Sequence, residues 1–325
     1  MRSPEEMPTR TGRKGSFRYL DGRGREIRDP ATIERIERLA IPPAWKDVWI
    51  ASRPRSKLQA TGFDKAGRKQ YIYHPDYRAD RDRAKYERLI RFGEKLPALR
   101  AAMAKHLDND ELDRDRVSAI ALRLIDLGWF RVGSDRHTRT SGTFGITTLR
   151  KRHVSVHRNR VRLCFVGKGR TEVRTSLVDD ELADAIRELL AVPGRSRLFR
   201  YERDGELRDL TSRALNEYVK TNLGPEFTAK DFRTWGGTLL AAIAFAERGL
   251  DGKAAVTAVM RTVAARLGNT PAVCRQSYVA PVVVDAYLQG RTLEDFRPRH
   301  LRRVAARQTG LEPEEVALIR LLNFD

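Results

Sequence analysis

The feature that most restricts this chain is a change of period near residue 84. Before it, from Phe17 to about Arg83, apolar and polar residues alternate in short runs: "YLDGRGREI", "DVWIAS", "KLQATGFD" and "KQYIYHPDY". Runs of that kind, bounded by Gly, Asp and Pro, predict a small antiparallel sheet with a helix at "PATIERIERLA". Beyond it the spacing is helical. In "DRDRVSAIALRLIDLG", Val117, Ile120, Ala121, Leu124 and Ile125 share one face, and Gly128 is the expected stop. Neither a uniform sheet nor a uniform bundle fits such a chain. The expected class is α+β: a small N-terminal antiparallel β-sheet domain and a larger, mainly α-helical domain that carries a β-hairpin sheet.

Strands inside the larger domain are expected at "TFGITTLR", "HVSVH" and "RVRLCFVG", the last alternating Val161, Leu163 and Phe165. A tight turn at "GKGR", residues 167–170, returns the chain along "TEVRTSLV". From "DDELADAIRELL" onward the pattern is helical to the end. The resulting division is a flexible basic arm over residues 1–15, a β-rich domain over 16–84, and a helical domain over 85–325 with a C-terminal extension. The charged stretch "YRADRDRAKYERL" is the expected joint.

A length of 325 residues suits two domains, each with its own core. Lys and Arg total 63 against 43 Asp and Glu, a formal charge of +20. That imbalance points to a polyanion, most commonly nucleic acid. Nothing approaches the roughly 20 apolar residues of a membrane span, and the N-terminus lacks the apolar core of a signal peptide. The two cysteines, Cys164 and Cys274, suggest neither a disulfide framework nor a zinc cluster. The expectation is an intracellular protein that binds a polyanion.

Several short constellations could carry chemistry. In "FTAKDFRTWGG", Thr228 and Asp231 form a capping-box pattern, which starts a helix with Lys230 and Arg233 in its first turn. Cations there oppose the helix dipole unless an anion sits before them, so the segment is either a solvated basic start or a phosphate site. "GWFRVGSD" sets Arg131 between apolar neighbours, as a salt-bridge partner or an aimed guanidinium. Lys168 occupies a hairpin tip, where a lysine is commonly just solvated. His153 and His157 suggest a metal pair, but four residues of strand span roughly 13 Å, so no metal is expected. "GRKQYIY" interleaves Arg68, Lys69 and Gln70 with Tyr71 and Tyr73, which are either plain sheet residues or DNA contacts. In "GNTPAVCRQSYVAP", Tyr278 is a surface ring, a core plug or a reactive hydroxyl.

Singly these signals are ambiguous; their order is not. Arg131 in "WFRVG", Lys168 in "FVGKG", Lys230 and Arg233 in "AKDFRTWGG", and "GNTPAVCRQSY" ending at Tyr278 resemble the catalytic series of the type IB DNA topoisomerases, in particular their poxvirus-like bacterial branch. The resemblance runs from about Phe17 to Asp285. It implies the catalytic core shared with tyrosine recombinases, with Tyr278 as nucleophile, Arg131 and Arg233 on the scissile phosphate, and Lys168 as general acid. It departs at Asn269, where poxvirus-type enzymes generally carry histidine; asparagine still donates a hydrogen bond but cannot become cationic. A second departure is the tail after residue 285, whose amphipathic runs Leu301–Ala305 and Val316–Leu322 suggest added helices packed on the catalytic domain.

The resemblance further implies a monomer that closes around double-stranded DNA, without membrane, cofactor or metal, in the cytoplasm at the nucleoid. Base contact is expected at Gln70, Tyr71 and Tyr73, with Arg68, Lys69 and Lys230 as further DNA contacts. Two other classes remain open at this point. Tyrosine recombinases usually show H-x-x-R where this chain has Lys230-x-x-Arg233, and a non-catalytic DNA clamp would use the same arginines for phosphate contact alone.

Overall fold

The computed structural model describes residues 8–13, 16–194, 196–248, 252–296 and 310–324. These divide into two compact units, one ending at Tyr86 and the other beginning at Glu87. In chain order the elements are β1 (Thr9–Thr11), β2 (Arg18–Leu20), α1 (Pro30–Arg38), β3 (Lys46–Ile50), β4 (Leu58–Phe63), β5 (Lys69–Tyr73), α2 (Pro75–Leu107), α3 (Arg114–Gly128) and α4 (Asp135–Ser141). There follow β6 (Val154–His157), β7 (Arg160–Val166), β8 (Glu172–Val178), α5 (Asp180–Ala191), β9 (Arg200–Arg203), β10 (Glu206–Asp209) and α6 (Ser212–Leu223). The chain continues through α7 (Asp231–Arg248), α8 (Gly252–Leu267), α9 (Pro271–Ser277), α10 (Pro281–Leu288) and α11 (Pro313–Leu322). The fold is α+β, with an N-terminal antiparallel sheet and a helical body carrying small sheets.

The first unit is a five-stranded antiparallel sheet in the order β2-β1-β3-β4-β5. One face buries Val48, Ile50 and Ala60 against Ile36 of α1. That helix starts where its sequence says it should: the Asp29 carboxylate accepts from the Thr32 amide, and Pro30 opens the first turn. Residues 9–11 correct the flexible-arm reading. They are a strand paired on both sides, and the Arg10 guanidinium is spent on the carbonyls of Ile41, Pro42 and Trp45.

The charged stretch expected as the joint contains the division between the two units, after Tyr86, and is helical, part of the 33 residues of α2. Arg, Lys, Glu, Ala and Leu are strong helix formers, and their charges need no loop to stay solvated. Gly128 does not stop α3; it is the last helical residue, and Trp129 is the left-handed cap at φ 53°. "TFGITTLR" is not a strand either. Residues Ile146–Thr148 form a 3-10 turn, because the Thr148 hydroxyl bonds both the amide and the carbonyl of Gly145 and so offers the backbone a local alternative to a ladder. The hairpin of β9 and β10 was not expected, although "DG" at 204–205 is a strong turn signal: both residues sit at positive φ, 55° and 73°.

The sheet β6-β7-β8 follows its alternation. Val161, Leu163 and Phe165 point inward, and Arg160, Arg162, Cys164 and Val166 face solvent. The whole first turn of α7 is buried, its Phe232 and Trp235 packing with Phe92 and Phe227. Of the two tail runs, Leu301–Ala305 lies outside the described residues, and Val316–Leu322 falls in α11, which packs on α7 and α10.

A buried polar network holds α11 in place. Arg100 pairs with Asp126 at 2.8 Å and with Glu315 at 2.7 Å, and the Trp235 indole donates to Glu315 at 3.0 Å. Burial alone would raise the Glu315 pKa, but Arg100 and Trp235 outweigh it and hold the carboxyl below its ordinary 4.5. A depressed carboxyl contributes stability above its unfolded pKa and loses it as pH falls through the folded value. Glu315→Ala should therefore destabilise the protein by about 1–3 kcal/mol at neutral pH, since it leaves the buried Trp235 indole N–H without its acceptor and Arg100 with Asp126 as its one carboxylate partner. Denaturant unfolding should show that difference shrinking below pH 4.5, as the wild-type carboxyl takes up its proton.

Candidate active site

The two arginines of the predicted series meet at the end of one helix. α8 stops at Leu267; the amides of Asn269 and Gly268 turn back onto the carbonyls of Ala264 and Ala265, and the Leu267 carbonyl, at the partly negative end of the helix dipole, is taken by side chains. Arg233 donates to the Leu267 carbonyl at 2.8 Å and to the Trp129 carbonyl at 2.6 Å. Arg131 donates to the same Leu267 carbonyl at 3.4 Å and to Gly268 at 3.0 Å. This carbonyl cradle lets two guanidiniums share one site. Arg131 still has its pKa lowered, by burial first and then by the charge of Arg233.

Arg233 is 4% exposed, and its Nε is buried without a hydrogen-bond partner. The Asn269 Oδ1 accepts from Arg131, which fixes the amide orientation; its Nδ2 is likewise buried without a partner, close to the Cys274 thiol. Two unpaired buried donors beside two guanidiniums fit an anion.

Tyr278 completes the group. It follows α9 directly, half-buried, with the Arg233 guanidinium 5.0 Å from its ring centroid. Burial alone would push its hydroxyl pKa up. The charges of Arg233 first, then of Arg131 and Lys230, outweigh burial and hold the hydroxyl below the usual tyrosine value. Lys230 itself is exposed, just ahead of α7. Only half of the expected capping box forms there: the Thr228 amide and hydroxyl both donate to Asp231, which also pairs with Arg88 at 2.8 Å. Gly236 permits the assembly, because a Cβ at that position would lie 2.3 Å from the Trp129 ring.

Lys168 stands at the tip between β7 and β8, exposed, on the rim of a cleft of about 160 Å³ that Arg131 and Arg233 also line. Arg266 lines the same cleft, 5.6 Å over the Trp129 ring and bonded to the Thr175 hydroxyl at 3.4 Å. Arg266 is not among the residues expected from the sequence; its place three residues before Asn269 was the available signal. Among the described residues that line the cleft, the one carboxylate, Glu172, is paired with Arg174 at 2.7 Å.

The candidate DNA contacts on β5 separate by face. Tyr71 and Tyr73 are 50% and 39% exposed, stacked 6.2 Å apart, with Lys69 over Tyr71 and Tyr77 continuing the row. Gln70 turns to the other face with Ile72 and donates to Asp64 at 2.9 Å, and Arg68 pairs with Asp64 at 2.7 Å. His153 accepts from the Arg150 amide and packs on Phe144 at 4.4 Å. Among the described residues, no three His, Cys, Asp or Glu side chains are grouped to hold a metal, and no helix is long and apolar enough to cross a membrane.

A core of this make-up, with paired arginines, a hairpin lysine and a tyrosine at a helix end, has counterparts among known proteins. Residues 74–289 match the family described as "Eukaryotic DNA topoisomerase I, catalytic core", and residues 16–64 match "Bacterial DNA topoisomerase IB, N-terminal domain". The chain belongs to the type IB DNA topoisomerases. It is 33% identical to DNA topoisomerase 1B of Acanthamoeba polyphaga mimivirus over 291 residues, 86% of each protein. DNA topoisomerase 1B of Vaccinia virus (strain Copenhagen) is 20% identical over 79% of this chain and 82% of its own length. Among solved structures, the XerH site-specific recombinase bound to difH substrate aligns at a TM-score of 0.37 and 13% identity, over 56% of this chain and 48% of that one.

Proposed function

We propose that this chain relaxes supercoiled duplex DNA by cutting and resealing one strand through Tyr278. The phenol oxygen attacks the scissile phosphorus as the P–O5′ bond breaks, leaving a 3′-phosphotyrosyl enzyme and a 5′-hydroxyl. Arg131 and Arg233 neutralise the charge that builds on the non-bridging oxygens, with Asn269 as a further donor. Lys168 supplies the proton that the departing 5′-oxygen needs. The broken strand turns about its partner, and the same steps in reverse reseal it. One phosphodiester is exchanged for another of similar energy, so the cycle needs no ATP.

The observation that carries this reading is the Tyr278 ring against the buried guanidinium of Arg233, in the first turn of a helix whose N-terminus is basic. The exposed row of Lys69, Tyr71 and Tyr73 suits contact with the duplex, whereas Arg68 and Gln70 are engaged by Asp64. In this reading the enzyme acts as a monomer on DNA of the nucleoid.

Incubation with supercoiled plasmid in EDTA without ATP is the test. Relaxed topoisomers are the expected product. Gel retardation without relaxation would make the chain a binding protein, and joined plasmids would make it a recombinase.

A further inference from the structure

Between α9 and α10 the backbone leaves regular structure for three residues, Tyr278 to Ala280, and something must hold them. At the upstream end the Cys274 carbonyl accepts from the amides of both Tyr278, at 2.9 Å, and Val279, at 3.1 Å. At the downstream end the partner is a side chain. The Thr238 hydroxyl donates to the Tyr278 carbonyl at 3.1 Å and accepts from the Ala280 amide at 3.1 Å. Thr238 is fully buried. Its neighbour Gly237 lets α7 come this close: a Cβ there would stand 2.8 Å from the Tyr278 carbonyl oxygen and 3.1 Å from the Tyr278 Cβ. Arg233 lies one helical turn before Gly237 on the same face of α7.

We infer that Thr238 and Gly237 are positioning residues, by which the helix that carries Arg233 also sets the backbone of Tyr278 and so fixes the distance between attacking oxygen and phosphate clamp. The inference rests on Tyr278 being the nucleophile. Neither residue offers a group to the substrate. Their effect is geometric: a single hydroxyl satisfies one acceptor and one donor on either side of the same residue, so the strap cannot slip without breaking both bonds. A side chain's reach follows its backbone, and a displacement of about 1 Å at a reacting group can cost on the order of 10²-fold in rate. A helix is stiff enough to transmit that constraint from Arg233 to Gly237 without a loop between them.

Thr238→Val keeps the shape and removes both hydrogen bonds; Thr238→Ser keeps the hydroxyl. Adduct formation is measured in single turnover at saturating DNA, well below each variant's Tm, together with DNA affinity and the pH dependence of the rate. Thr238→Val should slow adduct formation by about 10²-fold with unchanged affinity. The midpoint of its pH–rate profile should move up, because the ring leaves the field of Arg233. Thr238→Ser should recover most of the rate. Gly237→Ala tests the same strap by crowding and should also slow the reaction at unchanged affinity. Wild-type rate in both Thr238→Val and Gly237→Ala, or a rate loss with no movement of the pH midpoint, would overturn the inference. A wild-type protein that forms no adduct at Tyr278 would instead remove the nucleophile assignment on which it rests, a result the same experiment separates.

Discussion

Tyr278→Phe is expected to bind DNA as the parent does and to form no covalent adduct, with relaxation falling on the order of 10⁴-fold or more. The substitution deletes one oxygen and leaves everything else. The backbone of residue 278 is held by the Cys274 carbonyl and the Thr238 hydroxyl, neither of which touches the phenol group. The ring keeps its place beside Arg233. Nor can the next tyrosine in sequence substitute, because Tyr287 is 1% exposed and stacks on Phe245 at 4.2 Å. A gel-shift titration and SDS gels of the same samples check both halves. Adduct formed by the Phe variant would take the nucleophile's role from Tyr278.

The second large effect is expected at Arg233. Its guanidinium has three jobs: it ties α7 to the Leu267 carbonyl at the end of α8, holds the left-handed carbonyl of Trp129, and lowers the pKa of the Tyr278 hydroxyl. Arg233→Ala should lower single-turnover cleavage by about 10³-fold or more, the scale of losing a guanidinium that stabilises developing phosphoryl charge. Arg233→Lys should recover little of it. An ammonium is a single point of charge and cannot donate to two carbonyls and a phosphate in one plane. The pH–rate midpoint of Arg233→Ala should rise, because its largest pKa-lowering neighbour has gone from Tyr278. DNA affinity should change far less than the rate. Cleavage time courses over a range of pH measure all of this, and a lysine variant as fast as the parent would show that charge alone suffices.

How much of this could be read from the residues depends on where each restraint lies. The β7 strand announced itself through Val161, Leu163 and Phe165, since burial on one face enforces a period of two. The same period already put Gln70 opposite Tyr71 and Tyr73, so its turn toward Asp64 was legible in the alternation. The order Arg131, Lys168, Arg233, Tyr278 pointed to the family, which the mimivirus relative and the catalytic-core match bear out. What stayed hidden was tertiary. No local pattern says that Arg131 and Arg233 share a carbonyl 34 residues beyond the second of them, or that Thr238 straps a residue 40 positions away. "TFGITTLR" looked like a strand because strand propensity cannot foresee a Thr148 hydroxyl turning back on Gly145. The charged run around Tyr86 marked where the units divide but not its own conformation, because solvated helix faces and linkers have the same composition.

The most direct test is to trap the protein on nicked or supercoiled DNA with detergent, digest it with trypsin and identify the peptide that carries DNA. The peptide between Arg275 and Arg291 contains both Tyr278 and Tyr287, so fragmentation must place the modification. A 3′-phosphoryl group on Tyr278 is the predicted result. A DNA-linked residue anywhere else, or no linked peptide from protein that relaxes plasmid, would contradict the account.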